Sequence, residues 1–324
     1  MNSKLLEIKN LKVVGHTRGS TQTIIDNLSF ELNEGESLGI VGESGSGKTI
    51  LSKSIMRVLD PSCKVVNGRI VFEGKDIYGL SKEELKKIRG FQIAIIYDDP
   101  LAILDPICVV EKQVREAIMT YQEGISKSEA IKKVMHMFQI LKMPDPEKIV
   151  YSFAYQLSGG MQQRVAIALA LVGNPKLLIA DDATRALDVT IAAQTIEFLR
   201  EIKQSQRVSL IWISHSLPVC SLLADKIMIM HAGKCIEIGT KDKVLRNPKH
   251  FYTKLLLKVT PDVNSPRKKL PLLSGKSNAS STSQYDSGCE FCDICENVKP
   301  ICYNQAPTLK MVDNNHFCRC HIFN

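Results

Sequence analysis

Residues Gly42-Glu43-Ser44-Gly45-Ser46-Gly47-Lys48-Thr49 have the spacing G-x-x-x-x-G-K-[ST]. Backbone N–H groups of such a loop turn inward around phosphate oxygens, so Gly42, Ser44, Gly45, Ser46 and Gly47 form the candidate cradle. Lys48 is expected to reach the β- and γ-phosphates, and Thr49 to ligate Mg²⁺. The apolar run Ser37–Val41 precedes the loop and helical residues follow from Ile50, the strand–loop–helix context this chemistry needs. The helix N-terminus adds a dipole that favours anions. A second apolar run, Leu177–Ala180, ends in Asp181, which places a carboxylate at a strand's C-terminal edge. An Asp there would also suit a helix cap; after a phosphate loop it is read as a Mg²⁺ ligand.

The elements that must hold these groups alternate. Apolar runs at Ser37–Val41, Ile93–Ile96, Leu177–Ala180, Ser209–Ile213 and Ile227–Met230 are interleaved with helical periodicity over residues 1–245. That is the pattern of a parallel sheet with helices on its faces. From about Leu101 to Gln156 the strand signal disappears. There Ile131, Val134, Met135, Phe138 and Leu141 recur at helical spacing, which predicts a helical insert. Trp212, on an apolar strand, is expected in the core. From Lys258 to Ser287 the composition turns to Pro, Ser, Lys and Arg, a linker. Its Arg267-Lys268-Lys269 stretch reads as solvated rather than as a contact to membrane phosphates.

Composition narrows the function class. Of 324 residues, 44% are hydrophobic and 23% charged, an ordinary globular balance that excludes wholesale disorder. The net charge of +8 is modest for the length and does not imply nucleic acid. No apolar run is long enough to span a membrane, and the N-terminus lacks a secretory pattern, so a cytosolic protein is expected. Six of the ten cysteines crowd into residues 289–320. In a cytosolic chain that crowd suggests metal before disulfides.

Leu157-Ser158-Gly159-Gly160-Met161-Gln162-Gln163-Arg164 lies between the loop and the Asp181 strand. It resembles the signature motif of ABC-type ATPases. The resemblance covers roughly residues 5–256 and the tail, and is nearest to ATP-binding subunits of oligopeptide, dipeptide and nickel importers. Asp99-Pro100-Leu101-Ala102-Ile103-Leu104-Asp105-Pro106 and Asn247–Leu256 support that branch; the latter is similar to a Pro-x-His-Pro-Tyr-Thr segment with Phe251 in place of Pro. The implied fold is a P-loop α/β core with an antiparallel β part, a helical subdomain at about 101–156 and a C-terminal Cys-rich module. The implied boundaries are 1–256 for the ATPase, 257–287 for the linker and 288–324 for the tail. In this family Ser158, Gly159 and Gly160 face nucleotide held by a partner's P-loop.

Several positions depart from the family. Its Asp-Glu-Pro-Thr run is Asp181-Asp182-Ala183-Thr184 here. The implied water-polarising residue is therefore Asp182, one methylene shorter than Glu. A misplacement near 1 Å can cost about 10²-fold in a positioned reaction. Asp98 replaces the Q-loop Gln and adds a negative charge beside phosphates, while still able to reach Mg²⁺ through water. The D-loop reads Arg185-Ala186-Leu187-Asp188. His215 matches the switch His and is followed by Ser216 where Asp is usual. No adenine-stacking aromatic is evident; Gly15 or His16 stands at its position. The expected catalytic set is Asp182, His215 and Asp98.

The family's tail spacing is met by Cys289, Cys295, Cys302 and Cys320. The resemblance implies a [4Fe–4S] cluster; four thiolates, and the extra Cys292 and Cys318, suit Zn²⁺ as well. His316 and His321 are alternative or supporting ligands. The expected function is ATP binding and hydrolysis driving import of peptides or a related solute, with a degenerate site in this chain. Implied partners are a second ATPase subunit in a heterodimer, two transmembrane permease subunits and an extracellular solute-binding protein. The implied location is the cytoplasmic membrane face. The alternatives are a regulatory nucleotide-binding subunit and a nickel or metal-chelate importer ATPase. A soluble ATPase of DNA repair or translation would need tandem halves or a coiled-coil insert, and the sequence has neither.

Overall fold

Strands form where the apolar runs stand. The structure, a computed structural model, describes residues 3–17, 20–122, 124–185, 187–259 and 288–323. The strands are β1 (Lys4–Thr17), β2 (Ser20–Asn33), β3 (Ser37–Val41), β4 (Cys63–Phe72), β5 (Lys75–Asp76), β6 (Ile93–Ile96), β7 (Leu177–Asp181), β8 (Ser209–Ser214), β9 (Lys226–His231), β10 (Lys234–Thr240), β11 (Leu309–Asp313) and β12 (His316–Arg319). The helices are α1 (Lys48–Ile55), α2 (Lys82–Ile88), α3 (Val110–Tyr121), α4 (Lys127–Ile140), α5 (Pro146–Ile149), α6 (Gly159–Leu171), α7 (Val189–Gln206), α8 (Leu217–Leu223), α9 (Lys241–Arg246), α10 (Phe251–Val259) and α11 (Ile301–Asn304).

β3, β7 and β8 are buried at every position, as expected of parallel strands covered on both faces. β9, β3, β8, β7 and β6 run parallel, side by side. Period-two alternation divides their side chains between two cores. Leu177, Ile179, Ile211 and Ile213 share one core with Leu6, Leu28 and Ile70 of the antiparallel sheet β2-β1-β4-β5. Leu178, Ala180, Leu210 and the fully buried Trp212 share the other with Val134, Phe138 and Val165.

Among the described residues of 101–156, helices α3 to α5 replace strands, apart from a single bridge between Val109 and Phe153. α4 opens on a capping box in which Ser126 and Glu129 satisfy each other's backbone N–H. Its buried stripe is Ala130, Val134 and Phe138, with Ile131 and Met135 only half-buried. The buried stripe is thus rotated slightly from the expected one, with Ala130 at its N-terminal end.

The Cys-rich tail is not a separate module. β12 pairs antiparallel with β10, Cys318 opposite Glu237, and β11 pairs with β12. The central sheet therefore runs β11-β12-β10-β9-β3-β8-β7-β6. A buried polar knot sits at the junction. The fully buried Glu237 carboxylate accepts the N–H groups of Lys249 at 2.7 Å and His250 at 2.9 Å, and meets His316 Nε2 at 2.7 Å. A buried carboxylate without such donors is costly, so tail docking and folding of β10 are coupled. The expected linker lies outside the described residues from 260 onward, Arg267-Lys268-Lys269 included, and α10 occupies its first positions.

Candidate functional site

The loop between β3 and α1 wraps the C-terminal edge of the central sheet. Gly42 is required by close approach: a Cβ there would sit 2.3 Å from the Met230 carbonyl oxygen of β9. Gly47 has φ +95°, in the left-handed region that favours glycine. Lys48 is buried, and its Nζ donates to the carbonyls of Gly42 at 2.7 Å and Glu43 at 2.8 Å and to Ser46 Oγ at 3.2 Å. Burial pushes its pKa down, against the pull of Asp182 and Asp181.

Thr49 and Asp181 meet as expected, Thr49 Oγ1 donating to Asp181 Oδ1 at 3.3 Å. Ser52 donates to Asp181 Oδ2 at 2.8 Å. Sequence reasoning missed Ser52; its one signal is a place one turn after Thr49 on the same helix face. Burial raises the Asp181 pKa; the hydroxyls of Ser52 and Thr49 oppose this, and Asp182 and Asp98 add to it. Oxygen donors beside crowded carboxylates fit a hard cation such as Mg²⁺, which phosphate and water oxygens would complete. Thr49 and Asp181 are the residues that would hold it.

Asp182 has φ +50° and turns its carboxylate to His215, Nδ1 to Oδ1 3.2 Å. Both line one cleft of about 320 Å³ with Ser44, Gly45, Gly47, Lys48, Thr49, Asp98, Asp181 and Arg185. All three expected catalytic residues are thus brought together. Its apolar wall comes from Ile24 and Ile50. Neither Gly15 nor His16 lines it, His16 instead meeting Thr21 Oγ1 at 3.0 Å across the β1–β2 hairpin.

The signature is not brought to this cleft. Ser158 caps α6, accepting the Met161 N–H at 3.4 Å, and Ser158, Gly159 and Gly160 do not line the cleft. α6 is nonetheless tied to it: Gln163, almost fully buried, donates through Nε2 to the Tyr97 carbonyl at 3.2 Å, one residue before Asp98.

The ABC transporter family matches residues 25–185, and the oligopeptide/dipeptide transporter C-terminal region matches residues 236–302. The dipeptide transport ATP-binding protein DppD of Bacillus subtilis (strain 168) is 39% identical over 318 residues, 98% of this chain and 94% of that protein. This chain belongs to the ABC transporter family. The oligopeptide transport ATP-binding protein OppD of the same organism is 42% identical over 264 residues, 81% of this chain and 74% of OppD. Among solved structures, a dimeric post-hydrolysis state of the ATP-binding cassette MJ0796 bound to ADP and Pi aligns with TM-score 0.66 at 24% identity, covering 73% of this chain and 99% of that one. That likeness shows the shared fold. The chain is thus an ABC ATPase, and among its described residues no helix is long and apolar enough to cross a membrane.

The tail does not support a ready-made metal site. Cys289 lies near enough to Cys302, Cys320 and Cys292, and Cys320 to Cys295 and Cys302, for their charges to interact. Yet among the described residues no three His, Cys, Asp or Glu side chains stand as a metal-holding group. Burial pushes the Cys289 thiol up to about 11 and raises Cys320 and Cys318. His316 Nε2 is engaged by Glu237, and His321 Nε2 meets the Gln305 carbonyl at 2.7 Å. Those bonds engage one ring nitrogen of each histidine; His316 Nδ1 is buried and has no hydrogen-bond partner among the described residues.

Proposed function

We propose that this chain is an ATP-binding subunit of an importer for peptides and pairs with a second ATPase subunit. The names of its relatives, dipeptide and oligopeptide transport ATP-binding proteins, support the substrate class. The observation that carries the pairing is the separation of the two halves of the chemistry. Lys48, Thr49 and Asp181 share one cleft, while Ser158 and Gly159 stand exposed outside it. An exposed, capped helix start with free N–H groups suits phosphates held by another chain. Two permease subunits would carry the solute path and a solute-binding protein would deliver it, with this chain held at the cytoplasmic face through the permeases.

The same reading makes this chain's own site weakly hydrolytic. Asp182 is one methylene shorter than Glu, and its carboxylate meets His215 Nδ1 at 3.2 Å. Asp98 adds a negative charge where the family has a neutral Gln, and Arg185 adds a positive one where the family has Ser. Both line the cleft, so the two departures offset in charge while leaving water activation to Asp182. The isolated chain is expected to bind MgATP and turn it over at well under the roughly 10 s⁻¹ of an ordinary enzyme. A steady-state assay of purified protein checks this, and turnover at or above that rate would remove the degenerate-site reading.

The tail thiols carry the iron–sulfur reading on spacing and shared neighbourhood alone, with Zn²⁺ as the alternative. Protein purified without oxygen is expected to hold about four irons per chain, as for one [4Fe–4S] cluster. Iron near zero removes that reading.

A further inference from the structure

The His250-Phe251-Tyr252-Thr253 segment has no part in the nucleotide chemistry described above, yet it reaches the phosphate loop. Tyr252 Oη donates to Glu43 Oε1 at 3.0 Å, and Glu43 is the second residue of that loop. Tyr252 is 2% exposed. Its ring lies 4.9 Å from His231 and 5.1 Å from Phe291, between centroids. Phe291 belongs to the cysteine tail and also meets His231 at 4.7 Å and His250 at 4.9 Å. His250 Nδ1 in turn accepts the Tyr252 N–H at 3.0 Å, which sets the start of α10. On its other side the loop is held by the β9–β10 turn, where the Gly233 N–H donates to the Ser46 carbonyl at 3.1 Å.

We infer that Tyr252, backed by Phe291 of the tail, is a positioning residue for the phosphate loop. Its hydroxyl fixes the Glu43 carboxylate outside the cleft, which Glu43 does not line. The Glu43 backbone carbonyl accepts from Lys48, so the same residue sets where the lysine waits. Burial and the neighbouring Glu43 push the Tyr252 hydroxyl well above its ordinary range, so it stays a neutral donor. Releasing Glu43 would loosen the N–H cradle and free an anion close to bound phosphates, where like charges repel. The tail then bears on nucleotide affinity through packing, whatever its thiols hold.

The inference rests on nucleotide binding at this loop. Wild-type affinity for MgATP tests that binding, and a double-mutant cycle tests the link. In the full chain, Tyr252→Phe keeps the ring and is expected to weaken MgATP and MgADP alike by about tenfold, the scale of one hydrogen bond to a charged group. Glu43→Ala breaks the same link but removes the anion, so it should cost no more than Tyr252→Phe, and the double variant should bind like Glu43→Ala alone. Glu43→Gln, whose amide oxygen still accepts the hydroxyl, should bind nearly as the wild type. Phe291→Leu should weaken binding when Tyr252 is present and add nothing in Tyr252→Phe. Unchanged affinity in Tyr252→Phe, or additive losses with Glu43→Ala, overturns the inference while leaving nucleotide binding itself established. Failure of the wild type to bind removes both.

Discussion

Replacing Gly159 with tryptophan is expected to lower the transport-coupled ATPase rate of the assembled importer by about 10²–10³, the usual cost of losing one preorganised donor to developing charge. The structure selects Gly159 for this test. A Cβ there meets nothing within 4 Å, so the substitution has room within its own chain. At Gly160 a Cβ would lie 2.8 Å from Ile191 Cγ2 of α7, and any loss there would mix folding with function. With an exposed backbone and no clash at Cβ, a loss at Gly159→Trp is expected to come from a contact outside the chain, and unchanged stability of the isolated variant checks this. The companion variant Asp182→Glu restores carboxylate length but leaves Asp98 and Arg185 in the cleft, so only a small gain is expected. The measurement is ATPase activity of the complex with its membrane subunits. A silent Gly159→Trp, or a many-fold gain from Asp182→Glu, would contradict the division of labour between two sites.

Lys48→Ala is expected to weaken MgATP binding by this chain by about 10²-fold or more. Lys48 now satisfies its ammonium with two loop carbonyls and Ser46. Its lowered pKa reports the cost of holding that charge in a buried place. Phosphate oxygens would replace those neutral acceptors with charged ones, and bonds to charged groups are each worth about 1.5–3 kcal/mol. Alanine forfeits that gain. Equilibrium titration of the full chain with MgATP checks it, and a loss below about threefold would place the phosphates elsewhere.

These expectations differ in how far they were legible. The loop, its strand and Asp181 could be read because each lies within one run of residues whose spacing is set by local geometry. The same holds for the five buried parallel strands and for the insert. Asp182, His215 and Asp98 were named from motif order, and their meeting in one cleft follows from all standing at C-terminal strand edges of one parallel sheet. Ser52 was missed, since a serine in a helix has no pattern of its own until Asp181, 129 residues away, is seen against it.

By itself the sequence determined the chemistry available at the phosphate loop, the strand and helix types, and the family. Those properties live in short windows, where helical or strand period and glycine placement act directly on the backbone. Tertiary structure alone decided which strands are neighbours and what their edges meet. It put β12 beside β10, so the tail completes the sheet instead of forming its own module. It set Glu237 against His316 across 79 residues, and Tyr252 against Glu43 across 209. It placed Ile24, not Gly15 or His16, at the cleft wall, and kept the signature out of its own chain's cleft. Strand alternation tells which side chains share a face, but not which strand lies alongside. That choice is made by burying most of the apolar surface and pairing most of the buried polar groups at once, a condition no local window contains.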